Sequence, residues 1–128
     1  MYPEDLKYNP EHTWLRLDGS GSGLVGITDY AQRQLKDVVF VELPENGAPV
    51  VHMEPFGVIE SVKATNDLYS PVTGVVTDVN QALIDDPSLV NKDPYGAGWM
   101  VRVELSTSEE VESLLSAESY KAVIGEQR

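Results

Sequence analysis

Lys63 is the side chain in this sequence best placed to do chemistry. It lies in Glu60-Ser61-Val62-Lys63-Ala64, between two runs of extended character, Pro55 to Ser61 and Asp67 to Ser70, so the pattern puts it at a hairpin tip. An amine at such a tip has three possible roles: an ordinary solvated lysine, a Schiff-base nucleophile, or an attachment point for an acyl group. Nucleophilic catalysis needs burial or a neighbouring cation to free the lone pair. The sequence instead supplies Glu60 and Asp67, which in a regular hairpin fall roughly opposite each other near the tip and favour the ammonium. Attachment needs only what a tip offers, an amine projecting from a tight, exposed turn on stiff strands where a ligase can enclose it. The resulting amide would lose the charge and gain a flexible arm able to visit several active sites.

No other residue set competes with it. The chain has no cysteine, so disulfides, thiolate metal sites and cysteine nucleophiles are excluded. Gly21 to Gly26 formally fits G-x-G-x-x-G but leads into a strand rather than from a strand into a helix, and reads as a hairpin loop. His12 and His52 are far apart, and Glu54 alone does not complete a metal site. Ser61 and Ser70 lack the nucleophile-elbow context of a hydrolase, and neither histidine is marked as their base. Asp85, Asp86 and Asp93 lack the EF-hand order and read as turn residues. The expectation is therefore no catalytic residue and no metal.

The elements that must position Lys63 are short. His12 to Leu17 and Leu24 to Ile27 form a strand pair across the Gly/Ser loop Asp18 to Gly23. Thr28 caps one or two helical turns over Asp29 to Lys36, with Ala31 and Leu35 facing inward. Val38 to Leu43 is a strand stopped by Pro44 and followed by the turn Glu45-Asn46-Gly47. Gly74 to Asn80 and Trp99 to Leu105 add strands on either side of a loop rich in Asp, Asn and Pro. Thr107 and Glu110 have capping-box spacing ahead of an apolar face of Val111, Leu114 and Leu115; Ser116 caps a last helix, Ala117 to Ile124, ending at Gly125. Trp14, Phe40 and Trp99 are expected in the core. The fold class is mainly β, a barrel-sandwich hybrid of short antiparallel strands with short helices and a C-terminal helical segment, in one domain spanning 1–128.

With 21 acidic against 9 basic side chains, the net charge of −12 repels phosphate backbones and anionic membranes, and favours basic protein partners. No apolar run approaches the roughly 18 residues of a membrane span. The opening MYPEDLKYNPEHTW has neither a signal-peptide core nor transit-peptide composition, which predicts a cytoplasmic chain.

The wider pattern resembles a known family. Glu60-Ser61-Val62-Lys63-Ala64 followed by Asp67-Leu68-Tyr69-Ser70-Pro71-Val72 and Gly74 is similar to the lipoylation hairpin of glycine cleavage H proteins. The resemblance extends to GITDYAQ at Gly26 to Gln32, DVVFVELPENG at Asp37 to Gly47, and LVNKDPYGAGWMVRV at Leu89 to Val103. Biotinyl domains usually place the lysine between methionines, and acyltransferase lipoyl domains usually place it after an aspartate; here Val62 and Ala64 flank it. The resemblance implies lipoate on Lys63, recognised by a lipoyl ligase or transferase and by partner enzymes through Glu60, Ser61, Val62, Ala64 and Asp67. It also implies a non-catalytic carrier that takes an aminomethyl group from glycine at a pyridoxal-phosphate decarboxylase (P protein), delivers it to a folate-dependent aminomethyltransferase (T protein), and is reoxidised by dihydrolipoyl dehydrogenase (L protein). In the family the loaded arm folds back against the protein. Thr13 departs from the pattern, since many members have a glutamate there. A lipoyl relay donor using the same Lys63, and an unmodified β-domain that binds a protein or a small molecule, are the alternatives.

Overall fold

The computed structural model describes residues 2–107 and 109–125. The chain runs β1 (Lys7–Tyr8), β2 (Thr13–Leu17), β3 (Ser22–Ile27), α1 (Asp29–Leu35), β4 (Val38–Glu42), β5 (Pro49–Val50), β6 (Pro55–Ser61), β7 (Thr65–Tyr69), β8 (Gly74–Val79), α2 (Gln81–Asp85), α3 (Leu89–Lys92), β9 (Val101–Leu105), α4 (Glu109–Glu112) and α5 (Ala117–Val123). A six-stranded sheet is ordered β1-β2-β3-β9-β8-β5 and a three-stranded sheet β4-β6-β7, with every pairing antiparallel and neither sheet closed into a barrel.

Strand alternation explains how the larger sheet is covered on two sides. On β2, Leu15 joins Val25, Val76, Val101 and Val103 in the core between the layers, while Trp14 points the other way into a cluster with Tyr8 and Tyr120. Trp14 lies over its cross-strand partner Gly26, where an added Cβ would come within 2.6 Å of the indole. A third cluster, with Leu35, Val38, Val41, Ile59, Leu68, Leu83 and Val90, fills the space between the small sheet and α1 to α3. Burial of a side chain such as Ile59, 2% exposed, contributes about 1.5–3 kcal/mol.

Local signals in the sequence hold where the chain interacts with itself nearby. Thr28 Oγ1 accepts the Ala31 N–H at 3.2 Å at the start of α1, and Ser116 Oγ accepts the Ser119 N–H at 3.1 Å at the start of α5. Four expectations are corrected. Glu110 does not close a capping box with Thr107; its carboxylate reaches Thr73, 37 residues away. Phe40 is 47% exposed, because a register shift between Val38 and Phe40 turns both Val39 and Phe40 outward while Val38 and Val41 stay inside. The loop 85–98 holds the short helix α3, and β7 begins two residues before Asp67.

Candidate functional site

Lys63 is exposed, in a turn bonded on both sides. β6 and β7 pair Val58 with Asp67, Ile59 with Asn66 and Glu60 with Thr65, leaving Ser61 to Ala64 as the tip. The Ser61 N–H donates to the Ala64 carbonyl at 2.8 Å, and Ser61 Oγ accepts the N–H groups of Ala64 at 3.1 Å and Lys63 at 3.3 Å. Outside the hairpin, the Val62 N–H donates to the Asp37 carbonyl at 3.1 Å, just where Val38 pairs with Ser61. The amine therefore projects from a fixed backbone. Val62 is 67% exposed beside it, and Ala64 is half-buried.

The acids are arranged differently from the regular-hairpin expectation. Glu60 faces Thr65 and Asp67 faces Val58, so the two acids are diagonal neighbours across the hairpin, not an opposed pair. Ile59 and Leu68 alternate to the inner face and are buried.

Lys63 and Asp67 also line a cleft of about 720 Å³ between β7, the start of β2 and one face of α1. Ile27, Leu35, Ile59 and Leu68 give it an apolar floor; Glu11, His12, Tyr30 and Gln34 complete its far side. Thr13, buried in its wall, donates its hydroxyl to the Tyr69 carbonyl at 2.9 Å, and its N–H goes to Asn9 Oδ1 at 3.1 Å. That hydroxyl is committed to the scaffold. The carboxylates of the cleft come instead from Glu11 and Asp67.

His12 has φ 75° and packs against Tyr30 at 4.9 Å between ring centroids, with Nδ1 2.8 Å from the Tyr120 hydroxyl. Burial lowers its pKa below the usual imidazole value, outweighing the upward pull of Glu11. His52 is engaged elsewhere, its Nδ1 2.9 Å from the Pro71 carbonyl. Asp86 accepts the Ser88 N–H at 3.3 Å and Asp93 the Ala97 N–H at 2.9 Å, which makes both turn-forming acids.

An exposed lysine on a braced tip that opens on an apolar cleft with acids at its rim is a suitable mount for a tethered, recyclable group. Comparisons with known proteins place the chain in a family. The family model for the glycine cleavage H-protein matches residues 6–127. The chain belongs to the glycine cleavage H-protein family. It is 51% identical over 127 residues to the glycine cleavage system H protein of Carboxydothermus hydrogenoformans, covering 99% of this chain and 97% of that one. It is 53% identical over 120 residues to that of Symbiobacterium thermophilum, covering 94% and 93%. The crystal structure of a glycine cleavage system H protein from Mycobacterium marinum superposes with a TM-score of 0.88 at 39% identity, covering 96% of this chain and 98% of the other.

Members of this family are the lipoyl carriers of the glycine cleavage system, non-catalytic components whose chemistry takes place in partner enzymes, and neither the lipoyl relay nor the unmodified β-domain is favoured by these relationships. No helix among the described residues is long and apolar enough to cross a membrane. The tip residues Glu60, Ser61, Val62, Lys63 and Ala64 are contiguous in space as in sequence, with Asp67 one step down β7. Glu11, Tyr30 and Gln34 were not singled out from the sequence, and His12 only as one of two histidines without a metal site. They share the cleft with Lys63 because α1 and the start of β2 lie alongside β7, a juxtaposition that no local motif encodes. The nearest sequence signal was the departure at Thr13, between His12 and Trp14.

Proposed function

We propose that Lys63 carries lipoate through an amide at Nζ, and that the 720 Å³ cleft receives the arm when it is loaded. The observation that carries this reading is the position of Lys63, exposed on a doubly braced turn at the edge of that cleft. Lipoate would supply the two sulfurs that a cysteine-free chain lacks and, on them, the capacity to accept an aminomethyl group and to be reoxidised. The protein's own residues hold and shield. Ser61 fixes the tip, Ile27, Leu35, Ile59 and Leu68 exclude water from the cleft floor, and Glu11 and Asp67 present carboxylates to a primary ammonium. Glu60, Ser61, Val62, Ala64 and Asp67 form the surface that a lipoyl ligase or transferase meets.

The partners that follow from this reading are the P, T and L proteins, taken in turn by one acidic carrier whose net charge of −12 suits basic docking surfaces. The whole chain then acts as a single carrier domain, in keeping with three clusters that draw on elements from β1 to α5.

Mass spectrometry of the natively expressed protein tests the attachment. Tryptic peptides spanning Lys63 should carry lipoate in cells with active lipoylation, and their permanent absence would end the proposal. Lys63→Arg should abolish glycine decarboxylation; if glycine-dependent activity survives, the glycine pathway is wrong, and loss confined to lipoylation of other enzymes would favour a relay.

A further inference from the structure

The rim of the cleft has two carboxylates, Glu11 and Asp67, and one imidazole, His12. The charge on that imidazole decides what the rim attracts. A buried pair of hydroxyls fixes it. Thr28 and Tyr120 are both 0% exposed, so each hydroxyl proton needs an acceptor inside the protein. Thr28 Oγ1 has two partners, the Ala31 N–H that donates to it and Tyr120 Oη at 2.8 Å. Its own proton therefore goes to Tyr120. The Tyr120 hydroxyl also has two partners, Thr28 and His12 Nδ1. Having accepted from Thr28, it donates to Nδ1. Nδ1 is then a bare acceptor, and the imidazole proton sits on Nε2. Nε2 has no protein partner among the described residues, where no buried side-chain nitrogen or oxygen is left unpaired, so it opens on the cleft that His12 lines.

We propose that Tyr120 is a positioning residue for this cleft: from the C-terminal helix it holds His12 as a neutral imidazole with Nε2–H toward the cleft, leaving Glu11 and Asp67 unneutralised to receive a primary ammonium. The last step rests on the reading of the cleft as the arm's resting place; the assignment of the imidazole does not. Protonating His12 requires Nδ1 to give up the hydrogen bond it accepts, which favours the neutral ring. Burial acts in the same direction. The groups facing His12 are Glu11 next to it in the chain, Tyr30 from α1 and Tyr120 from α5, with Lys63 and Asp67 across the cleft. Acylation of Lys63 removes its charge, so a neutral His12 leaves the modified cleft with carboxylates and no cation. Tyr120 is itself held in place by stacking on Tyr8 at 4.9 Å and 13°.

Nitrogen NMR of the His12 imidazole in the unlipoylated chain tests this without reference to activity. The expected spectrum has a protonated Nε2 and an unprotonated Nδ1. Tyr120→Phe keeps the stacked ring and removes only the hydroxyl; the His12 titration midpoint should rise toward the ordinary 6.5, with the Nδ1–H tautomer gaining population. Thr28→Ser, which keeps the donor, should retain the wild-type pattern. An Nδ1–H tautomer in the wild type, or an unmoved midpoint in Tyr120→Phe, overturns the proposal, and if that variant does not fold the wild-type tautomer decides. In the lipoylated, aminomethyl-loaded protein, Tyr120→Phe should lose its amine several-fold faster. An unchanged rate alongside a shifted midpoint would reject the cleft as the arm's site and its use of a neutral His12, while the imidazole assignment stands.

Discussion

Ser61 Oγ lies 3.1 Å from the Ala64 nitrogen, gathering the turn that carries Lys63 around one hydroxyl. The same oxygen accepts from the Lys63 N–H, so Ser61→Ala leaves two backbone donors of the tip to water. Because the tip is exposed, the stability cost should be small, about 0.5–1.5 kcal/mol. The larger effect should fall on lipoylation, since a ligase must meet the amine in one geometry. Thermal unfolding and the lipoylation kcat/KM of both proteins check this; equal lipoylation rates would show that the hydroxyl does not set the tip.

Glu110 presents both carboxylate oxygens to Thr73, one taking its N–H and the other its hydroxyl, each at 2.7 Å. Thr73 Oγ1 in turn accepts the His52 N–H at 3.0 Å, so this bidentate contact ties α4 to the segment ahead of β8 and to the loop after β5. Glu110→Ala should cost about 1.5–3 kcal/mol, the range for hydrogen bonds to a charged group. Glu110→Gln, which retains one acceptor, should recover part of it. Urea denaturation of the three proteins measures the difference.

Phe40 and Ile59 are apolar residues on neighbouring strands with opposite fates. Ile59→Ala empties a site 2% exposed and should cost about 2–5 kcal/mol. Phe40→Ser removes a ring 47% exposed on the outer sheet face and should cost about 1 kcal/mol or less. Chemical denaturation decides; comparable losses would place Phe40 in the core after all.

That pair also shows what could be read from the sequence. The strand Val38 to Leu43 was evident from its β-branched and aromatic residues, but its faces were not, because one extra residue at a bulge reverses the alternation beyond it and bulges have no compositional signature here. The caps at Thr28 and Ser116 and the turn bond at Ser61 take backbone N–H groups three residues on, so these contacts follow local spacing. Glu110 has the same spacing from Thr107 and bonds Thr73 instead, since a long acidic side chain at a helix start can choose between a local and a distant donor. β1 and β5 have two residues each, too short for any periodicity. The tip was legible because it is contiguous; the cleft was not, because it joins residues 11–13, 27–35 and 59–69 only after both sheets have formed.

His12 gives the fold a pH dependence whose sign follows from its burial. Its folded pKa lies below the ordinary 6.5 that the unfolded chain shows, burial being the cause. Between those two values the unfolded state binds more protons than the native one, so stability rises with pH through that window and levels off above 6.5. Asp18 acts lower down. Hydrogen bonds from Ser20 and Arg102 hold its carboxyl well below the ordinary 3.8, so its contribution is lost only as pH falls past that value. The interval from 6.5 down to 3.8 therefore isolates the histidine from this acid. His12→Asn is the suitable variant, since asparagine tolerates the φ of 75° found there and does not titrate. Unfolding free energies across that interval should slope upward with pH in the wild type and more weakly in the variant. Equal slopes in the two proteins would mean that His12 is protonated as readily in the folded chain as in the unfolded one, contradicting its burial against Tyr30 and Tyr120.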